Sequence, residues 1–269
     1  MAFFSLDFDS TILGRRETIL VAAPEHPDNS AVLYLLHGGG GGGGVDNRSW
    51  LPQKDRLSRW AETYGVTILM PSAPDSFFAN TCGGVRYQDF MLEEFCREMP
   101  ERLGLSRARE ETAVAGMSMG GTSAFRLGLA APERFGWIGC LSSGNLWTSD
   151  LSNRVHAYAV KNVFGVERIQ DIEGTEYDFF ADALRDVREG RPLPVIFHAC
   201  GGEDHALEHA RPTAKWFAEH GTAFDYHYFE PEKGGHTDDF FRVWMERFLQ
   251  FFRGQISAEA IEAEMNRAE

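Results

Sequence analysis

Thr112-Ala113-Val114-Ala115-Gly116-Met117-Ser118-Met119-Gly120-Gly121 is the stretch on which the reading of this chain turns. A short run of β-branched and small residues leads into Gly116-Met117-Ser118-Met119-Gly120, and beyond it Gly120, Ala124 and Gly128 recur four apart, the spacing of one helix face. The pattern predicts a strand, a tight turn and a helix. A strand feeds a helix through a single residue only where that residue takes a strained conformation and its neighbours carry almost no side chain. Such a turn lifts the Ser118 hydroxyl clear of the sheet and aims the free N–H groups of a helix start at the same spot. In a chain with 28 glycines the pentapeptide alone carries little weight. Its strand and helix context carries the argument.

Upstream, Ala31 to Leu36 is a continuous apolar run, as expected of a strand buried on both faces of a mostly parallel sheet. It ends in His37 and the uninterrupted glycines Gly38 to Gly44. Out of context such a run is a flexible linker. At the carboxyl end of a buried strand it becomes a candidate oxyanion loop, where open α/β sheets bind ligands. There an N–H of Gly39 joins that of Met119, with Gly38 and Gly40 against the substrate. His37 is read as a structural end to the strand.

Downstream, Pro194 to Ala199 predicts another buried strand, with Glu203 and Asp204 following it, and Phe224 to Phe229 a last one, followed by a loop presenting His236. Nucleophilic acyl transfer needs a hydroxyl, a base, a carboxylate to orient the base, and donors for the oxyanion. Ser118, Asp204 and His236 meet that need, each just beyond a predicted strand. Glu203 and Asp225 compete for the acid role: Glu203 lies one residue nearer the strand end and Asp225 falls within the last strand. His205, His209, His220 and His227 are read as surface or core residues.

The remaining chain fits around these elements. Phe3 to about Pro24 reads as two strands, Trp50 to Tyr64 as a helix stopped by Gly65, and Val66 to Met70 as a strand. The long aromatic loop from Pro71 to Tyr87 either tucks its side chains into the core or lets Phe77, Phe78 and Tyr87 wall a small acyl pocket. Gln88 to Leu103 predicts a helix interrupted near Pro100, and a helix is expected from Pro212 to before Gly221. Phe241, Trp244, Phe248 and Phe251 form the core face of a last long helix. The polar, charged segment 145–192 is expected to be a cap over the sheet edge, and 254–269 a solvated tail. The expected organisation is one domain over residues 1–269, of α/β class, with a mostly parallel central sheet, helices on both faces and a small helical cap.

Composition narrows the function. With 40 acidic against 26 basic residues, net charge is −14, which repels phosphate backbones and anionic membranes. Neither nucleic acid nor a membrane is an expected partner, and no apolar run reaches the roughly 18 residues of a membrane helix. The first residues lack a secretory pattern, and Cys82, Cys96, Cys140 and Cys200 form no C-x-x-C pair, so a cytoplasmic protein with reduced thiols is expected. The scattered His and Asp residues show no spacing that demands a metal, and no cofactor is expected.

Leu35-Leu36-His37-Gly38, Ala115 to Gly121, Ala131-Pro132-Glu133-Arg134-Phe135, Cys200-Gly201 with Glu203-Asp204, and Gly235-His236 together resemble the tributyrin esterase and S-formylglutathione hydrolase (esterase D) group of α/β-hydrolases, in the same order over nearly the whole chain. The resemblance implies an α/β-hydrolase fold, triad roles for Ser118, Asp204 and His236, and hydrolysis of short-chain acyl esters. Relatives of this kind often form homo-oligomers. Two departures stand out: the glycine run is longer and plainer than the usual loop, and Thr237-Asp238-Asp239 follows the histidine where an Asp-Trp pair is common. A serine carboxylesterase acting on a small acyl ester is therefore expected. A thioesterase or acyltransferase on the same triad, and a non-catalytic binding module that kept the fold, are the alternatives.

Overall fold

The short apolar runs assemble into one eight-stranded sheet in the computed structural model, which describes residues 1–39, 41–148, 154–221 and 223–268. The strands are β1 (Ala2–Ser10), β2 (Arg15–Ala23), β3 (Ala31–Leu36), β4 (Val66–Met70), β5 (Thr112–Met117), β6 (Trp137–Leu141), β7 (Val195–Ala199) and β8 (Tyr226–Phe229). Their order is β1-β2-β4-β3-β5-β6-β7-β8. β1 and β2 form an antiparallel pair, β2 runs antiparallel to β4, and every other neighbouring pair is parallel. The chain order reverses between β3 and β5, which pair with Leu36 opposite Gly116. The glycine run and the Ser118 turn therefore leave the sheet side by side, at the crevice where such sheets bind ligands.

Side chains alternate across each strand, so the continuous apolar runs feed two cores. Val32, Tyr34 and Leu36 face one, with Val114, Ile138 and Ile196; Leu33 and Leu35 face the other, with Ala113, Ala115 and Phe197. On the first face lie α3 (Cys96–Leu103), α4 (Met119–Ala130), α6 (Phe179–Glu189) and α7 (Leu207–Glu219), and on the second α1 (Lys54–Tyr64), α8 (Asp238–Phe252) and α9 (Ala258–Ala268). No helix among the described residues is long and apolar enough to cross a membrane.

Several expectations change in detail. The helix expected from Trp50 is a 3₁₀ stretch, Asn47–Gln53, capped by the Asp46 carboxylate, before α1 begins at Lys54; Pro52 lies in that stretch. The interruption expected at Pro100 falls earlier, in a π-helical stretch, Phe90–Phe95, between α2 (Tyr87–Asp89) and α3. Pro100 stays inside α3, where its missing N–H leaves the Cys96 carbonyl without an intrahelical donor. The Tyr34 hydroxyl and Arg134 Nη1 donate to that oxygen instead, at 3.3 and 3.0 Å. α7 starts five residues before Pro212, and in the turn that leads into it the Asp204 carboxylate accepts the Ala206 N–H at 2.8 Å.

In α8 it is Phe240 and Phe252 that are buried beside Trp244 and Phe248, while Phe241 and Phe251 are half-buried. The expected tail forms α9, with Ala258 and Ile261 buried in the second core and Arg247 paired to Glu264 at 2.6 Å. Segment 145–192 divides in two, with residues 149–153 outside the described ones. α6 is the crossover helix before β7 and stacks Phe179 on Phe125 of α4, centroids 4.7 Å apart. The earlier part, with α5 (Arg154–Ala159) and the π-helical stretch Val160–Phe164, lies against the Pro71–Tyr87 loop, where the Cys82 N–H donates to the Val163 carbonyl at 2.7 Å.

Candidate active site

Ser118 joins β5 to α4 with φ 54° and ψ −124°, a left-handed conformation that a non-glycine residue holds at a cost of about 1–3 kcal/mol. Its surroundings hold it there. The Ser118 N–H donates to the Leu141 carbonyl at 2.9 Å, and its own carbonyl accepts the Gly121 N–H at 2.9 Å to start the helix. A Cβ at Gly116 would run into the Gly120 carbonyl, and one at Gly120 into the Leu36 carbonyl oxygen. At Gly128 it would meet the Ile138 side chain. The four-residue spacing of small side chains thus seats α4 directly on β3 and β6. Met119 opens α4, so its N–H has no intrahelical acceptor and is free for a ligand.

The glycine run has no side chains with which to hold itself, and two residues outside it do so. His37 is fully buried, and burial holds its imidazole below the ordinary histidine pKa, hence neutral. Its Nε2 accepts the Ala73 N–H at 3.1 Å, which leaves the proton on Nδ1 to be donated to the Gly38 carbonyl at 2.8 Å. The Asp75 carboxylate accepts the N–H groups of Gly42 and Gly44 at 3.0 and 2.5 Å.

Asp204 follows β7 with a fully buried side chain, and His236 follows β8 with Nδ1 3.0 Å from Asp204 Oδ1 and 3.2 Å from Oδ2. Burial works to raise the Asp204 pKa. The hydrogen bonds from His236 and the Ala206 N–H outweigh it and keep the carboxyl below its ordinary range. A carboxylate is acceptor only, so His236 Nδ1 is the donor of this bond. Close passage of two loops makes this possible: a Cβ at Gly201 would overlap the Gly234 carbonyl.

Ser118, His236, Gly39 and Met119 border one cavity of about 50 Å³. Phe77 and Leu146 give it apolar wall, and Thr122, Ser142 and Ser143 line it with hydroxyls. Of the six non-glycine residues with positive φ among the described residues, Asn29, Asp75, Phe77, Phe78, Ser118 and Ser142, three line the cavity: Phe77, Ser118 and Ser142. Gly38 adjoins the Ser118 Cβ, and Gly40 lies outside the described residues.

Phe78 and Tyr87 do not reach the cavity. Phe78 is fully buried with its ring 5.3 Å from that of His37, and Tyr87 accepts a hydrogen bond from Arg15 at 2.9 Å. Of the competing acids, Glu203 Oε2 accepts the Gly234 N–H at 3.3 Å, and Asp225 pairs with His227 at 2.7 Å.

Three features were not legible in the sequence. Asp75 is one. Arg126, buried in α4, is another: it donates to the Phe77 carbonyl at 3.0 Å and to Gln88, and so fixes the loop that carries Phe77. His205, read as a surface or core residue without a role, is exposed and lies with its ring 4.4 Å from that of His236. An arginine on an otherwise apolar helix was the available signal for the second. Asp75 and His205 carry none beyond their residue type.

The whole chain has relatives. The family model described as Putative esterase matches residues 10–259. An acetyl esterase of Caldicellulosiruptor saccharolyticus is 28% identical across 93% of this chain and 98% of its own. Among solved structures, FphF, a fluorophosphonate-binding serine hydrolase of Staphylococcus aureus, superposes with a TM-score of 0.79 at 20% identity, covering 94% of this chain and 98% of that one. The S-formylglutathione hydrolase FrmB of the same organism gives 0.75 at 20% identity, with the same coverages. A sheet of this order with a family match over nearly all of its length leaves one assignment: the chain belongs to the Putative esterase family, has the α/β-hydrolase fold and is a carboxylic ester hydrolase.

Proposed function

We propose that this chain is a serine carboxylesterase for short-chain acyl esters, working through Ser118, His236 and Asp204 and a covalent acyl-enzyme. The observation that carries the proposal is the contact of His236 Nδ1 with the buried Asp204 carboxylate at 3.0 Å. With Nδ1 committed to a buried, charged Asp204, Nε2 is a base on the cavity that Ser118 borders. In the first step the Ser118 oxygen attacks the ester carbonyl as its proton passes to His236 Nε2. The carbonyl oxygen takes the negative charge and accepts hydrogen bonds from the N–H groups of Met119 and Gly39. Collapse expels the alcohol, which takes the proton from His236. A water activated by the same Nε2 then releases the acid.

The small cavity and its walls of Phe77 and Leu146 support an acetyl-sized acyl group over a long chain. The acetyl esterase similarity points the same way. As part of the same proposal the substrate is a small molecule and the compartment the cytoplasm, which suits buried thiols such as Cys96, whose pKa burial pushes up to about 12.

The test is a panel of p-nitrophenyl acetate, butyrate and octanoate with S-formylglutathione, run on the wild type and on Ser118→Ala. Turnover falling with chain length and lost in Ser118→Ala is the expected result. Preference for octanoate, or activity that survives Ser118→Ala, sinks the proposal. A dominant rate on S-formylglutathione moves the assignment to a thioesterase.

A further inference from the structure

The hydrolytic reading leaves one neighbouring imidazole unused. His205 directly follows Asp204, and its Nδ1 lies 3.6 Å from Asp204 Oδ1, the same oxygen that His236 Nδ1 approaches at 3.0 Å. Asp204, His205 and His236 each offer one donor atom, and the three lie within 4.8 Å of one another. Among the described residues this is the cluster of three such side chains close enough to share an ion. We propose that it is an inhibitory site for a borderline divalent cation, with zinc the best match; the inhibitory part rests on His236 being the base.

Chemistry and geometry both select zinc. Two imidazoles and one carboxylate are zinc donors, whereas magnesium and calcium take oxygen ligands. With metal–ligand distances of about 2.0–2.1 Å, a tetrahedral ion holds its donors about 3.3 Å apart. The two nitrogen–oxygen separations, 3.0 and 3.6 Å, straddle that value, and all three donor atoms lie within 4.8 Å of one another, so the His205 ring has to swing inward to complete the set. The Asp204 side chain is buried and that of His205 is 72% exposed, so the His205 imidazole lies on the solvent side of the cluster. The fourth position is left for water.

Binding would stop catalysis by moving one proton. In the hydrolytic state His236 carries its proton on Nδ1 and its lone pair on Nε2. Zinc takes the Nδ1 lone pair, so the proton leaves that atom and the neutral ring carries it on Nε2 instead, with no net proton released. An Nε2–H cannot accept the Ser118 proton, and Asp204 now holds a metal. The fold is untouched while the base is locked in the wrong tautomer.

Calorimetric titration of zinc chloride into full-length Ser118→Ala, and into the same protein with His205→Ala added, reads the site without any turnover. One zinc per chain is expected, with affinity at least tenfold weaker once His205 is gone. In parallel, p-nitrophenyl acetate hydrolysis by the wild type and by His205→Ala is measured against zinc, each relative to its own metal-free rate. Inhibition of the wild type, reversed by EDTA, with a half-inhibiting concentration at least tenfold higher in His205→Ala, supports the proposal. Equal zinc affinity with and without His205 overturns it, as does stoichiometric binding that leaves hydrolysis unchanged. Metal-free His236→Ala separates the two readings, since it stays active only if His236 is not the base.

Discussion

Two glycine-rich turns meet at the carboxyl edge between β3 and β5, and they are held by opposite means. The Ser118 turn is fixed from within. Its glycines touch the backbone of the sheet itself, so the strained serine is enforced by the same packing that seats α4. In the glycine run, Gly38, Gly42 and Gly44 are held from outside, the first by His37, itself anchored on Ala73, and the other two by Asp75. Each ordered glycine costs roughly 0.5–1 kcal/mol more than an alanine would, and a hydrogen bond to a charged group contributes roughly 1.5–3 kcal/mol. Two such bonds from Asp75 are of the size needed to offset ordering the run. The proposed oxyanion donor at Gly39 would thus depend on a carboxylate that lies outside the proposed triad.

That contrast predicts graded damage. Ser118→Ala removes chemistry alone, because the glycines and not the serine side chain shape the turn. Its kcat on p-nitrophenyl acetate is expected to fall by about a thousandfold or more while the thermal midpoint stays within a few degrees. A large drop in midpoint would mean that the hydroxyl itself supports the turn. Gly120→Ala is the converse, with the chemistry kept and the packing lost. Its new methyl has nowhere to go but the Leu36 carbonyl, so the variant is expected to lose roughly 3 kcal/mol or more of stability in urea unfolding.

Asp75→Ala probes the other turn. Releasing Gly42 and Gly44 should lower kcat on the acetate ester by roughly a hundredfold, about 2.7 kcal/mol, with KM little changed. A wild-type kcat in Asp75→Ala would show that the loop orders itself, and the contrast would collapse.

The same difference explains what the sequence could and could not disclose. The Ser118 turn was legible because its determinants are consecutive: a β-branched strand, glycines flanking one serine, small residues four apart. The candidate order of Ser118, Asp204 and His236 was legible because each follows a strand-like stretch, although β8, Tyr226-His227-Tyr228-Phe229, is no apolar run. The anchor of the glycine run was not, because Asp75 lies more than thirty residues from the N–H groups it accepts and only the fold brings it there. Proline misled twice. Pro100 and Pro212 read as punctuation, yet both lie inside helices: Tyr34 and Arg134 satisfy the carbonyl freed by Pro100, and Pro212 falls within α7, which already begins at Leu207. Phe77 and Phe78 diverge, one to the cavity and one to His37, because both carry positive φ, which residue type does not forecast.

Acid offers the finest separation, since a buried histidine lies near each turn but bonds directly only to the glycine run. His198 in β7 lies beneath the Ser118 side: its Nε2 donates to the Ser143 carbonyl at 2.8 Å, its Nδ1 accepts the Tyr226 hydroxyl at 2.6 Å, and Ser143 in turn bonds Thr122 of α4 at 2.6 Å. Burial pushes the His198 pKa down to about 4, and lowers that of His37 as well. Below about pH 6.5 the unfolded chain takes up protons that the folded chain refuses, so stability is complete above that pH and falls as the pH drops toward the folded values. At pH 5 His198 alone accounts for a loss of about 2 kcal/mol, and His37 acts in the same direction. Asp204, held below the ordinary carboxylate range, adds its loss only at lower pH. Thermal midpoints should fall from pH 7.5 to pH 5, and less steeply in His198→Gln. Protonating His37 places a hydrogen on the Nε2 that faces the Ala73 N–H, which frees the glycine run locally, whereas the Ser118 turn can open only with the sheet. Hydrogen exchange corrected for its intrinsic pH dependence should therefore show peptides over 38–46 losing protection by pH 5 while peptides over 116–122 follow global unfolding. If both lose protection together, the two turns share one anchor and the distinction between them is gone.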